Sequence, residues 1–288
     1  MMKSVRRNLQ IGIAILLFLS VAFPVYAESI VDLVDQAMAG KHRDPGNAAR
    51  DKYRHPAQTL EFFGLQPDMA VVEIWPGKGW YTEILAPVMR ERGILYAASF
   101  SMTAQETPQW RKDMQVEYTN KLAANPQVYD HVVVTELAIP ERTTIAPPGH
   151  VDMILTFRNV HNWMKGGYTQ GMLETFYRIL KPGGILGIVE HRAKPETPVE
   201  KMIESGYVTE EFVIALASAI GFEFVASSEI NANKNDSTEH PKGVWTLPPT
   251  LRLCNEIKNG ADKDSCIKKY TSIGESDRMT LKFRKPEE

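Results

Sequence analysis

Val71-Val72-Glu73-Ile74-Trp75-Pro76-Gly77-Lys78-Gly79-Trp80-Tyr81-Thr82-Glu83-Ile84-Leu85 decides the fold. A β-branched apolar run ends beside an acid, breaks at Pro76 and Gly77, and resumes as an amphipathic helix. This reads as strand, glycine loop and helix, the opening unit of a nucleotide-binding α/β sheet. Glycine at 77 and 79 lets backbone N–H groups approach a ligand with no Cβ in the way. The helix that follows turns its unpaired N-terminal N–H groups to the same place. An ordinary βα turn uses such glycines for geometry alone, and Glu73 tilts the balance towards a ligand. A dinucleotide fingerprint requires glycine where this chain has Thr82. An acid just ahead of the glycines also suits a cationic ligand better than a pyrophosphate.

The spacing resembles the first motif of the class I S-adenosylmethionine-dependent methyltransferases, an acid followed by three alternating glycines. Glu73 matches the acid, and Gly77 and Gly79 match the second and third glycines. Trp75 stands at the position of the first, a departure from the family pattern. The longer string from Glu73 to Pro87 is similar to a subfamily of predicted exported methyltransferases that carries this Trp. The resemblance runs from about residue 65 to residue 228, with the last strand added. It implies a Rossmann-like seven-stranded methyltransferase sheet with helices on both faces, and S-adenosylmethionine as cofactor. Glu73, Gly77, Gly79, Tyr81, Ser99, Glu136 and Asn159 are then the cofactor-binding candidates.

The 288 residues suffice for a large buried core, and the formal net charge of −2 supplies no basic field for nucleic acid. Lys3, Arg6 and Arg7 precede an apolar run and the exit Val25-Tyr26-Ala27, the pattern of a secretory signal peptide cut after residue 27. The run is short for a span of ~20 residues, so a periplasmic or secreted chain with no stable membrane span is expected. Cys254 and Cys266 are the only cysteines, and an oxidising compartment makes one disulfide of them. No cysteine or histidine spacing suggests a metal.

The order of segments is signal peptide 1–27, helical cover 28–64, Rossmann core 65–230, insertion 231–278 and a final antiparallel strand 279–288. Arg54 and His55 of the cover lie within reach of a ligand, though solvated or capping roles suit them better. Strands are expected at 94–98, 131–135, 151–157, 185–189 and 222–228, with helices between them. Leu180-Lys181-Pro182-Gly183-Gly184 is a helix stop that also resembles the methyltransferase pattern. The second strand ends in Ser99, where the family carries an acid for the ribose hydroxyls, and Glu136 ends the third, where adenine is often contacted. Arg158-Asn159-Val160-His161-Asn162-Trp163 reads as an extended loop at the carboxyl edge of the fourth strand. Its i±2 spacing would point Asn159, His161 and Trp163 one way. Glu190-His191-Arg192 ends the fifth strand at the same edge.

Methyl transfer needs proximity and orientation, with a base where the acceptor carries a proton. His161, Glu190 and His191 are the candidate bases, and an imidazole titrating near ~6.5 makes His161 the natural choice. The expected function is methyl transfer to a small-molecule or other unknown acceptor. The alternative is a methyltransferase fold kept as a ligand-binding or structural module, favoured by the missing ribose acid and the expected export. An NAD-dependent oxidoreductase fails at Thr82 and at the same missing acid.

Overall fold

The computed structural model describes residues 28–288, so the expected signal peptide lies outside the described residues. Among the described residues eight strands form: β1 Ala70–Ile74, β2 Ile94–Phe100, β3 Val132–Leu137, β4 Val151–Phe157, β5 Leu180–His191, β6 Glu223–Ser228, β7 Pro241–Val244 and β8 Arg278–Arg284. Seven of them make one sheet in the order β3-β2-β1-β4-β5-β8-β6. β1 to β5 pair in parallel, while β8 runs antiparallel to both β5 and β6. The strand order reverses between β1 and β4, so a crevice opens at their carboxyl ends, where open α/β sheets hold ligands.

Residues alternate between the two faces, and both faces are covered. Val72, Ile74, Ile154 and Ile188 pack under Trp163, Met172 and Phe176 from the helices Val160–Gly166 and Thr169–Ile179. On the other face Val71, Met153, Leu155 and Val189 meet Leu60, Phe63, Ile84 and Leu85 from the helices Pro56–Phe63 and Thr82–Met89. Each fully buried Leu or Phe contributes on the order of 1.5–3 kcal/mol. The cover is seated tightly enough that a Cβ at Gly187 of β5 would come within 2.9 Å of the Phe63 ring.

Buried polar contacts also fix the cover. Glu83 accepts from Arg43 Nε at 3.1 Å and Asn47 Nδ2 at 3.0 Å, and Arg43 donates to both oxygens of Asp51. The Trp80 indole, bonded to Asn47 O at 2.8 Å, carries the Arg54 guanidinium 4.6 Å above its ring. In this way the cover delivers Arg54 to the crevice. Between β6 and β8, Cys254 and Cys266 form a disulfide beside Leu247 and Tyr270. The chain then returns through Glu275 and Ser276 to the same edge. Among the described residues no helix is long and apolar enough to cross a membrane.

Candidate functional site

On the β1 side of the crevice the glycine loop has the left-handed geometry its sequence requires, with φ 61° at Gly77 and 82° at Gly79. Glu73 is 2% exposed, and its carboxylate accepts from Thr82 Oγ1 at 2.6 Å. Burial raises the Glu73 carboxyl to about 7, against the pull of the Thr82 hydrogen bond and of Lys121. A Cβ at Gly79 would lie 3.1 Å from the Tyr118 ring, so that glycine faces a packed side chain.

Trp75, also left-handed at φ 46°, is only 7% exposed. Its indole Nε1 donates to Leu137 O at 3.2 Å, spanning from the end of β1 to the end of β3. Phe100 and Tyr168 flank the ring at centroid distances of 5.1 and 6.0 Å, and the Arg111 guanidinium lies 4.3 Å over it. The cavity left among Trp75, Phe100, Ser101, Arg111, Leu137 and Tyr168 is about 50 Å³, against roughly 300–1,000 Å³ for small-molecule sites.

Two expectations on this side are corrected. Ser99 does not face a ribose site. Alternation puts it on the face of Leu95 and Ala97, where its hydroxyl donates to Gln115 of the helix Gln109–Ala124. Glu136 is not presented to an adenine either. It accepts from Ser101 Oγ at 2.6 Å, Met102 N at 3.2 Å and Thr103 Oγ1 at 3.0 Å. Burial pushes its carboxyl up, but these hydrogen bonds prevail and hold it below the usual range. The β1 loop keeps the backbone geometry that its glycines require, with both left-handed. The adenosyl end of S-adenosylmethionine does not fit while the Trp75 indole is in place.

The β4–β5–β8 side is polar. Asn159 Nδ2 donates to Ile74 O at 3.0 Å and to Thr156 Oγ1 at 3.2 Å, tying the end of β4 to the end of β1. The residues after it are not an extended loop, because Val160–Gly166 is helical, and so the expected i±2 alignment of Asn159, His161 and Trp163 fails. Glu190 causes this: its Oε2 accepts from Val160 N at 2.6 Å and His161 N at 3.4 Å, holding the helix N-terminus. Gly167 at φ 72° ends the helix. Trp163 turns into the core, 5.6 Å from Phe176.

Glu190 Oε1 accepts from His191 N at 2.7 Å and from His161 Nδ1 at 3.0 Å. Glu190 is fully buried, with both oxygens engaged by N–H donors, and it orients the His161 ring. The proton then sits on His161 Nδ1, and Nε2 is the acceptor atom, 3.0 Å from Asn162 Nδ2. The imidazole is 6% exposed and flanked by His191 and Trp245, at centroid distances of 5.3 and 5.9 Å. His191 Nδ1 meets Ser276 Oγ at 2.6 Å. Burial, then His161 and Arg158, push the His191 imidazole well below its ordinary range and keep it neutral. His161, Glu190 and His191 offer metal-ligand atoms within 4.8 Å of one another, but both Glu190 oxygens are committed to N–H donors. Tyr81 stacks on Phe157 at 3.4 Å, and burial raises its hydroxyl to about 12, against the pull of Arg158 and Arg54.

Beside this group stands an arginine cluster that the sequence did not disclose. Glu275 accepts from Arg50 Nε at 2.6 Å, Arg54 Nε at 3.0 Å and Arg278 Nη1 at 3.2 Å. Arg54 is 3% exposed, neither solvated nor bonded to a helix end as its sequence suggested. Burial pushes the Glu275 carboxyl up, but Arg54, Arg278, Arg50 and Arg158 together outweigh it and hold it at about 2. The sequence did not join Arg50, Arg54, Glu275 and Arg278, because they come from the cover, the segment before β8 and the start of β8 itself.

No family model and no curated protein matches the chain. Solved structures do. A SAM-dependent methyltransferase from Aquifex aeolicus is 20% identical with a TM-score of 0.50, matching 71% of this chain and 94% of its own. The [4+2]-cyclase SpnF is 16% identical at TM-score 0.54, over 81% and 80% of the two chains. An arsenic(III) S-adenosylmethionine methyltransferase from Chlamydomonas reinhardtii is 12% identical at TM-score 0.51, over 88% and 73%. The fold is the Rossmann-like fold of the class I methyltransferases, with the seven-stranded mixed sheet described above.

Proposed function

We propose that this chain is an exported S-adenosylmethionine-dependent methyltransferase acting on a small acceptor that gives up a proton to His161. The observation that carries the reading is the Glu190–His161 pair at the carboxyl edge of β5 and β4. It lies across Asn159 from the Glu73–Gly79 loop. Glu190 keeps the proton on Nδ1, the buried setting excludes bulk water, and Nε2 takes the acceptor's proton once the Asn162 amide swings away. Asn159 holds the two strand ends in register, so the acceptor and the glycine loop share one crevice. Methyltransferases among the fold neighbours support the class. Export is proposed from residues 1–27, and an exported sample beginning at Glu28 by intact-mass analysis would bear it out.

Trp75 favours a second reading. With the indole filling the adenosyl place, the fold would serve as a ligand-binding module whose chemistry lies wholly on the β4–β5–β8 side. The cyclase among the neighbours illustrates that this fold does not dictate one reaction. Calorimetric titration with S-adenosylmethionine and S-adenosylhomocysteine separates the two. Saturable binding supports the first reading. Absence of binding by wild type and by Trp75→Gly alike rejects it in favour of the second.

A further inference from the structure

Trp245, whose ring centroid lies 5.9 Å from that of His161, also lines a cavity of about 780 Å³. That volume falls within the roughly 300–1,000 Å³ of small-molecule sites. Tyr207 lines it too, with its ring 6.1 Å from His191 and its hydroxyl donated to Asp236 Oδ2 at 2.9 Å. A molecule in the cavity therefore lies one aromatic ring away from the paired imidazoles.

The walls are fixed by close approaches of the chain to itself. The helix Val199–Ser205 ends at Gly206, φ 77°, where a Cβ would come within 3.1 Å of the Trp245 ring. In β7 a Cβ at Gly243 would run into the Ser205 carbonyl. Arg252 N donates to Trp245 O at 2.8 Å, and Cys254 just beyond is clipped to Cys266. Trp245 and Arg252 are thus fixed parts of one wall.

Charge selects the occupant. Three lysines line the cavity, and each has its acid: Lys194 meets Glu239 at 2.6 Å, Lys201 meets Glu204 at 2.9 Å and Lys242 meets Glu256 at 3.0 Å. The buried acid nearby, Asp236, is taken up by Tyr207, His240 and the N–H groups of Thr238 and Asp277. Arg252, exposed at the cavity, has no such partner: among the described residues its side chain makes no hydrogen bond or ion pair. Its guanidinium instead lies 5.0 Å over the Trp245 ring. Stacking engages the face of a guanidinium and leaves free its in-plane N–H donors, the fork that matches carboxylate and phosphoryl oxygens.

We propose that this cavity binds a small organic anion, its flat apolar body against Trp245 and its carboxylate or phosphoryl group on Arg252. The binding itself needs no cofactor; that the anion is the methyl acceptor rests on the methyl-transfer reading.

The test is calorimetric titration of the purified protein with sodium benzoate, sodium phenyl phosphate and benzylamine hydrochloride, at ionic strength fixed with sodium chloride. At least one of the two anions binds saturably, and which one does so identifies the group. Benzylamine, with the same ring and the opposite charge, does not bind. Arg252→Gln weakens the anion about tenfold or more, and Arg252→Glu abolishes its binding. Arg252 is exposed, so both variants melt as wild type does. Trp245→Leu keeps the guanidinium and weakens the same anion by removing the ring. Failure of both anions to bind wild type overturns the proposal, as does benzylamine binding as tightly as the anion. Wild-type affinity in Arg252→Glu or in folded Trp245→Leu overturns it too. Titration with S-adenosylhomocysteine separates the two readings. Anion binding without cofactor binding keeps the site and removes its acceptor role, and cofactor binding without anion binding overturns this proposal alone.

Discussion

The two ends of the crevice are built on the same strand edge and filled by opposite means. Across β1, β2 and β3 the edge is packed with aromatic rings: Trp75 lies against Phe100 and Tyr168, and Gln115 takes up the Ser99 hydroxyl. Across β4, β5 and β8 it carries charge and imidazole, with Arg158, His161, Glu190, His191 and Arg278 gathered round the mouth. The first half leaves a cavity of only about 50 Å³ beside its glycine loop. The second has more positive charge than its own carboxylate balances. The fold thus places ligands along one edge, while side chains decide which stretch of that edge is open. Here the open stretch lies across β4, β5 and β8.

The largest expected effect tests whether the charged half depends on its one acid. Glu275→Gln leaves the buried guanidiniums uncompensated and should cost about 3–5 kcal/mol, read as a large fall in the denaturation midpoint. Glu275 is held at about 2 when folded. Its stabilisation is therefore present above the ordinary carboxyl range and lost as pH falls towards 2. A variant as stable as wild type would mean that the arginines are balanced by other groups.

In the packed half the sign reverses. The Glu73 carboxyl is raised to about 7, so the folded state holds a proton that the unfolded chain has released. Wild-type stability should fall as pH rises from about 4.5 through about 7. Glu73→Gln removes up to about 3 kcal/mol of that loss. Melting curves at pH 5 and pH 8 check this: the advantage of the variant grows with pH, and a constant difference would contradict the assignment.

His161→Asn sharpens the comparison from the chemical side. With an acceptor in hand, turnover falls at least about 100-fold while cofactor affinity is unchanged, because the residue lies outside the packed half. Unchanged turnover would leave His161 as a residue that merely fastens its helix. The smallest effect belongs to Ser99→Asp. A carboxylate there meets the Gln115 carboxamide oxygen, so stability drops by about 1 kcal/mol with no gain in cofactor affinity. Tighter binding would show that position 99 reaches a ribose after all.

The sheet was legible because its signals are local. The apolar run at Val71, the glycines at 77 and 79 and the stop at Pro182 each name an element, and residues 151–157 were bounded as the structure has them. Ser99 was misjudged although simple alternation from Leu95 and Ala97 puts it on the covered face. The segment after β4 read as a loop because the group that caps its helix, Glu190, lies 30 positions away from Val160. Sequence showed that Trp75 breaks the glycine pattern, but where an indole turns depends on Leu137 and Phe100 of neighbouring strands. The arginine cluster was least legible: Arg50 and Glu275 are 225 positions apart, and only the folded sheet brings them together.

The claim that Trp75 occupies the adenosyl place is tested most directly by titrating wild type and Trp75→Gly with S-adenosylhomocysteine side by side. The temperature must be one at which both are folded, since losing the indole costs about 3 kcal/mol of packing. Glycine keeps the left-handed backbone without strain and removes the ring that must otherwise leave before the ligand enters. The account predicts weak but saturable binding by wild type and an affinity at least about tenfold higher, about 1.4 kcal/mol, in the variant. Equal affinity in the two folded proteins would contradict it.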